Sequence, residues 1–195
     1  MTKKELIKLF KIKQLSESKL EKLIQKNPNT FDWDWVSIHQ KLSESFIEKY
    51  QDKVNWWYIS QYQNLSENFI EKYQDKVDWN SISQYQKLSE KFIEKYQDKL
   101  NWWIISCYQK LSEKTIEKFQ DKVRWYWISK DQTLSESFIE KFKDEVYWSH
   151  ISEYQKLSPK FIIKHINRIT DSIFRNKHYE SYPDNIKILL RLKIK

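Results

Sequence analysis

The chain has 195 residues and not one glycine. The usual residue for left-handed turns and tight hairpins is therefore missing, and every glycine-dependent phosphate loop is excluded, the P-loop and the dinucleotide fingerprint among them. Proline, the other common turn residue, occurs only three times. A single cysteine, Cys107, rules out an internal disulfide and any cysteine-rich zinc site. It also fits a reducing compartment. No apolar run is long enough to span a membrane, and the first residues do not read as a secretory leader. What is abundant is charge, 32%, and aromatic side chains, 16%. That many aromatics argue against disorder. The expectation is a mostly helical chain with tight helix-to-helix turns.

The pattern is a repeat. Leu-Ser recurs at 42, 65, 88, 111, 134 and 157, each step being 23 residues. An earlier Leu15-Ser16 lies 27 residues before Leu42, with four extra residues near 26–30. Each repeat reads as two short helices. In the second, Ser43 is an N-cap and Glu44 follows at the first helical position, where a negative charge suits the helix dipole. Ser158-Pro159 occupies the same place in the last repeat, and proline favours that first position. Helix A is expected over about 44–53, with Phe46, Ile47, Tyr50 and Val54 as its apolar face. Helix B is expected over about 56–63, capped by Asn55. Two such helices cannot bury a face alone and must stack on their neighbours. The fold expected is an all-α solenoid of tandem 23-residue helix-turn-helix repeats with terminal capping helices. As one domain over 1–195, it divides into an N-terminal capping helix (1–14), six αα repeats (15–156), and a divergent last repeat with a basic C-terminal cap (157–195).

Helix B separates fixed from variable positions. The fixed ones in the second repeat are Trp56, Ile59, Ser60 and Gln63, spaced i, i+3, i+4, i+7 on one helical face. That face is expected to pack, with the serine permitting close approach and the glutamine bonding backbone of the next turn. The variable positions hold Asp34, Trp57, Asn80, Trp103, Tyr126 and Ser149, then Trp35, Tyr58, Ser81, Ile104, Trp127 and His150. One turn further come Ile38, Gln61, Gln84, Cys107, Lys130 and Glu153. Large aromatics at successive repeats are what a binding surface looks like. The candidate partner-binding set is Trp35, Trp57, Tyr58, Trp103, Ile104, Tyr126, Trp127, Lys130 and His150. The competing reading is drift, or rings covering the edge of the core.

Net charge is +8, which invites a nucleic-acid reading. Its placement argues otherwise: +4 in residues 1–14, +6 in 157–195, and −2 in 15–156. Helix A repeats Glu-Lys-x-x-Asp-Lys, read as a solvated face with ion pairs between neighbouring repeats, each worth little. Single-strand binders combine stacking rings with a basic path, and the array lacks that path. The C-terminal cluster Arg168, Arg175, Lys177, Arg191 and Lys193 is the candidate for nucleic-acid contact.

No catalytic constellation is visible. The four histidines are scattered, and His39 and His165 stand where other repeats have aromatics. Cys107 has no evident base or oxyanion pocket. No enzyme activity, metal, cofactor or small-molecule substrate is expected.

The phrase LSExFIEKYQDKVxWxxISxYQK, carried by Leu42-Ser43-Glu44, Phe46-Ile47, Asp52-Lys53-Val54, Trp56 and Ile59-Ser60, resembles a tandem-repeat family of giant DNA viruses, phages and low-GC bacteria. The match covers about residues 14–170 and departs at Leu20, Thr115, Asp131 and 163–167. The resemblance implies a repeat type and no established activity. If it extends to source, a host factor such as a defence nuclease is a target and the host cytoplasm the location. The function expected is a monomeric, non-enzymatic scaffold binding a protein partner through helix B, without membrane contact. The alternative is RNA or single-stranded DNA binding by Trp and Tyr stacking with basic termini.

Overall fold

The structure is a computed structural model that describes residues 14–26, 28–29 and 31–194. The capping helix expected over 1–14 thus lies outside the described residues, Gln14 excepted. The chain divides into two compact units, Met1–Asn101 and Trp102–Lys195. Among the described residues every regular element is helical, and the expected helical repeat array is present in each unit.

Unit 1 contains α1 (Glu17–Lys26), α2 (Trp33–His39), α3 (Glu44–Lys49), α4 (Trp56–Tyr62), α5 (Glu67–Lys72), α6 (Trp79–Tyr85) and α7 (Glu90–Lys95). Unit 2 contains α8 (Trp102–Tyr108), α9 (Glu113–Lys118), α10 (Trp125–Asp131), α11 (Glu136–Lys141), α12 (Trp148–Tyr154), α13 (Pro159–Lys164) and α14 (Asp184–Lys193), with 3-10 turns at Asp171–Arg175 and Tyr179–Ser181 before α14. The second helices pack on one another along each unit. In unit 1, α4 lies between α2 and α6. In unit 2, α10 lies between α8 and α12, and the 3-10 turn Asp171–Arg175 takes the next place.

Helix A is shorter than its pattern suggests, six residues rather than ten. Tyr50 leaves the helical region at φ −113°, ψ 27°, and the chain turns back through Lys53 and Val54 N–H bonds to the Tyr50 carbonyl. No described residue has positive φ, so these ends form without glycine. The four extra residues of the first repeat match the greater length of α1, ten residues against six. Capping follows the sequence. Ser43 accepts from Phe46 N–H at 3.2 Å, and Asp78 from Ser81 N–H at 2.8 Å.

The core is a column of isoleucines. Ile47, Ile70 and Ile93 from helix A and Ile59 and Ile82 from helix B are fully buried in unit 1, as are Ile116, Ile139, Ile162, Ile105, Ile128 and Ile151 in unit 2. Each contributes about 1.5–3 kcal/mol by leaving water. The fixed polar residues stitch repeats together. Gln63 Nε2 donates to the carbonyls of Ser37 and Gln40, and its Oε1 accepts from Leu42 N–H at 2.9 Å. Gln86 and Gln155 repeat the pattern. The glutamine therefore reaches back into the preceding repeat rather than along its own helix. In the divergent last repeat Asn176 Nδ2 takes the same two places, on Ser152 and Gln155 carbonyls. The serine does more than permit approach. Ser60 Oγ donates to the Trp56 carbonyl at 2.7 Å and accepts from Asp78 N–H at 2.9 Å in the next repeat. The expected ion-pair ladder is there too, Lys72 to Glu48 and Lys95 to Glu71 in unit 1, and Lys141 to Glu117 in unit 2.

Candidate functional site

The fixed tryptophan and its variable neighbour separate cleanly. Trp56 donates its indole N–H to the Gln51 carbonyl at 2.9 Å and lays its ring on Tyr73, 5.0 Å between centroids, in the following repeat. Trp79 and Trp148 do the same with the Gln74 and Lys143 carbonyls. Trp57, one residue on, turns 100° away and stands 51% exposed.

The first variable position is the exposed one: Trp57 in unit 1, and Trp103 and Tyr126 in unit 2. The second is the core edge. Trp35, Tyr58, Trp127 and His150 are half-buried, whereas Ile104 and Ser81 are buried. Ile104, at 9% exposure, cannot touch a partner and leaves the candidate set. A branched apolar side chain at that edge simply completes the core. The variable face is thus open at its first position and core edge at its second, as the competing reading of rings at the edge of the core had it for that position.

Trp57 meets Tyr58 edge-on at 4.8 Å, Tyr58 leads to Tyr62 at 6.2 Å, and Trp35 packs on His39 at 4.2 Å. Unit 2 joins its rings across repeats. Trp103 meets Trp127 at 5.6 Å, Trp127 meets Tyr126 at 4.9 Å, and Tyr126 meets His150 at 4.3 Å and Tyr147 at 5.5 Å. His150 continues to Tyr154 at 5.8 Å. The Lys130 ammonium sits 5.0 Å from the Trp127 ring, a cation–π contact that costs the lysine little of its charge. Burial first, and then the Lys130 charge, push the His150 pKa below the ordinary imidazole value. Edge-to-face packing holds these rings in place.

Two features were not read from the sequence. Tyr62, Tyr85, Tyr108 and Tyr154 are exposed, so the aromatic surface includes a position that barely varies. The signal was angular, since that offset lies well away from the arc of Trp56, Ile59, Ser60 and Gln63. The second feature explains part of the variation. Asn55 Nδ2 donates to Asp34 and Asn101 Nδ2 to Asn80, each at 2.9 Å, while Tyr147 packs on Tyr126. In these three pairs the first variable residue matches the cap residue 21 positions later, polar with polar and ring with ring, whereas Trp57 precedes Asp78 and Trp103 precedes Arg124.

Neither protein-family models, nor curated proteins, nor solved structures give a match.

The nucleic-acid candidates are not one cluster of free cations. Arg168 is paired with Asp144 at 2.8 Å and bonds the Lys143 carbonyl. Arg175 is paired with Glu153 at 2.8 Å. Arg191 and Lys193 are exposed on α14, and Lys177 is exposed beside Arg175. Cys107 is half-buried, and burial followed by the Asp131 charge pushes its thiol pKa up, away from a nucleophilic thiolate. Among the described residues no group of His, Cys, Asp and Glu could hold a metal, and no helix is long and apolar enough to cross a membrane.

Proposed function

We propose that the chain is a non-enzymatic, monomeric repeat scaffold that binds a protein partner through the aromatic surface of its second helices. The observation that supports it is the joined ring network of unit 2, Trp103, Trp127, Tyr126 and His150, with Trp103 48% exposed. Rigid, pre-packed aromatics lose little conformational freedom on binding and are the usual anchors of protein interfaces. The resemblance to repeats of phages and giant DNA viruses adds the finer reading, a host factor such as a defence nuclease as target in the host cytoplasm. A second reading, stacking of single-stranded RNA or DNA, draws on Lys130 lying over Trp127.

A displayed random-peptide library panned on the protein, followed by synthesis of enriched sequences, tests the proposal. The expected result is peptides that bind wild type and lose about tenfold or more with the Trp103→Ala/Tyr126→Ala variant. Enriched peptides indifferent to that variant, or no enrichment at all, would sink it.

A further inference from the structure

The repeat stops being uniform at its C-terminal end, and the departures converge on one trough. The helix B position that carries Ile38, Gln61, Gln84 and Cys107 elsewhere carries Lys130 in α10. Lys130, Tyr154, Lys156, Arg175 and Lys177 line a groove of about 570 Å³ together with the carboxylates of Asp131 and Glu153. A second cavity of about 560 Å³ shares Thr133, Lys156 and His178 with it and runs on past Pro159 and Tyr182. The two adjoin at these shared residues and together offer a trough longer than either cavity alone, which suits an extended segment.

The trough is positive where it is free. Arg175 and Glu153 neutralise one another. Lys156 and Lys177 are exposed, and with Lys130 they have no carboxylate at ion-pair distance among the described residues; Asp131 opposes the three in the first cavity and Glu136 in the second, the latter held by the Ser158 N–H and hydroxyl. Helix C-termini normally repel anions, but here the relevant carbonyls are occupied. Those of Ser129 and Gln132 accept from Gln155, and those of Ser152 and Gln155 from Asn176. Tyr154, 43% exposed, joins the trough to His150 and the aromatic network.

We infer that this trough takes an acidic, extended segment of a protein partner, whose carboxylates meet Lys130, Lys156 and Lys177 while an adjoining aromatic or apolar residue meets Tyr154. The inference rests on the protein-binding reading and names the chemistry of the partner. A nucleic-acid backbone fits less well, since its continuous run of phosphates would find only a few unpaired cations. A short acidic peptide needs no more than these.

The test is fluorescence anisotropy with three labelled probes: a peptide of Glu and Asp flanking a single Trp, the same peptide with Gln and Asn for the acids, and an oligothymidylate of equal length. Proteins are wild type, Lys156→Gln/Lys177→Gln, and Trp103→Ala/Trp127→Ala, each checked for helical content. The acidic peptide should bind wild type, weaken with salt, and lose about tenfold both in the lysine variant and on neutralisation. No binding of the acidic peptide, or equal binding of its neutral twin, overturns the inference and leaves the aromatic reading standing. Oligothymidylate binding more tightly, with loss in the lysine variant, overturns it in favour of nucleic acid. Acidic-peptide binding that the lysine variant loses but the tryptophan variant keeps supports the trough and removes the aromatic surface from the function.

Discussion

At the residue scale, two adjacent tryptophans do opposite things. Trp56 closes the turn after α3 with its indole N–H and carries ring packing into the next repeat, whereas Trp57 makes an edge contact with Tyr58 and otherwise faces solvent. Their cost on truncation should differ accordingly. Trp56→Ala removes packing and leaves the Gln51 carbonyl without its donor, so a loss of about 3 kcal/mol or more is expected. Trp57→Ala should cost about 1 kcal/mol or less. Urea denaturation of the two variants decides it, and equal losses would show that the variable position is structural. The same contrast says what was legible. Fixed Ile59, Ser60 and Gln63 could be placed on one packed face from spacing alone, because a helix repeats every 3.6 residues. That Gln63 bonds the preceding repeat could not, because its partners lie 23 and 26 residues back, where spacing along a single helix says nothing of direction. Ile104 was misjudged for the same reason: a half-turn from the core is an edge, and side-chain size decides whether the edge closes.

At the element scale, capping explains both the regularity of the helices and one weak point. Helix A keeps its serine throughout, and its first-turn glutamate also serves the next repeat, Glu44 accepting from Ser66 N–H at 2.6 Å and Glu136 from Ser158 N–H. Helix B is less uniform: Arg124 and Tyr147 provide no side-chain cap. Asp78 shows that aspartate works directly after a tryptophan-bearing repeat, since Trp57 stands 21 residues before it. Trp103 stands 21 residues before Arg124. Arg124→Asp should therefore stabilise unit 2 by about 1 kcal/mol, seen as a higher urea midpoint, and no gain would mean that solvent already satisfies the first-turn N–H groups of α10. The opposite case lies in α13. His165 occupies a place held by buried Tyr73, Tyr96, Phe119 and Phe142 in other repeats, and its Nε2 is 2.6 Å from Glu140, which also meets Lys164 at 2.8 Å. Lys164 first, and then His165, lower the Glu140 pKa from 4.5 to about 2. A carboxyl depressed in the folded state stabilises the fold above its unfolded pKa, and that contribution disappears as pH falls. Wild type should thus melt above Glu140→Gln at pH 5, with the gap closing between pH 4.5 and about 2. Parallel melting curves across that window would remove Glu140 from the account of acid sensitivity. Helix existence and caps were readable because they are local; the early end of helix A was not, because Tyr50 is pulled out of the helix by ring packing on Trp33 of the preceding repeat.

At the scale of the whole molecule, the question is what a charge of +8 does. Within each unit the carboxylates and ammonium groups of helix A are paired between repeats, as Lys49 with Glu21 and Lys164 with Glu140, and the described array offers no continuous cationic path. The excess sits in residues 1–14 and 157–195. Exposed, separated cations attract a polyanion by counterion release alone, which falls steeply with salt. Labelled single-stranded RNA should therefore bind at low ionic strength and lose about tenfold or more in affinity on reaching about 0.15 M salt. Trp57→Ala, Trp103→Ala and Trp127→Ala, combined in one folded variant, should leave that salt dependence unchanged, because uncharged rings contribute nothing to charge neutralisation. Base stacking has the opposite signature. It is worth about 1–3 kcal/mol per base and resists salt, so RNA binding that persists at physiological ionic strength and vanishes in the triple variant would make the aromatic surface a stacking platform. The variant thus separates the two readings by where the free energy comes from, the ring faces or the net charge.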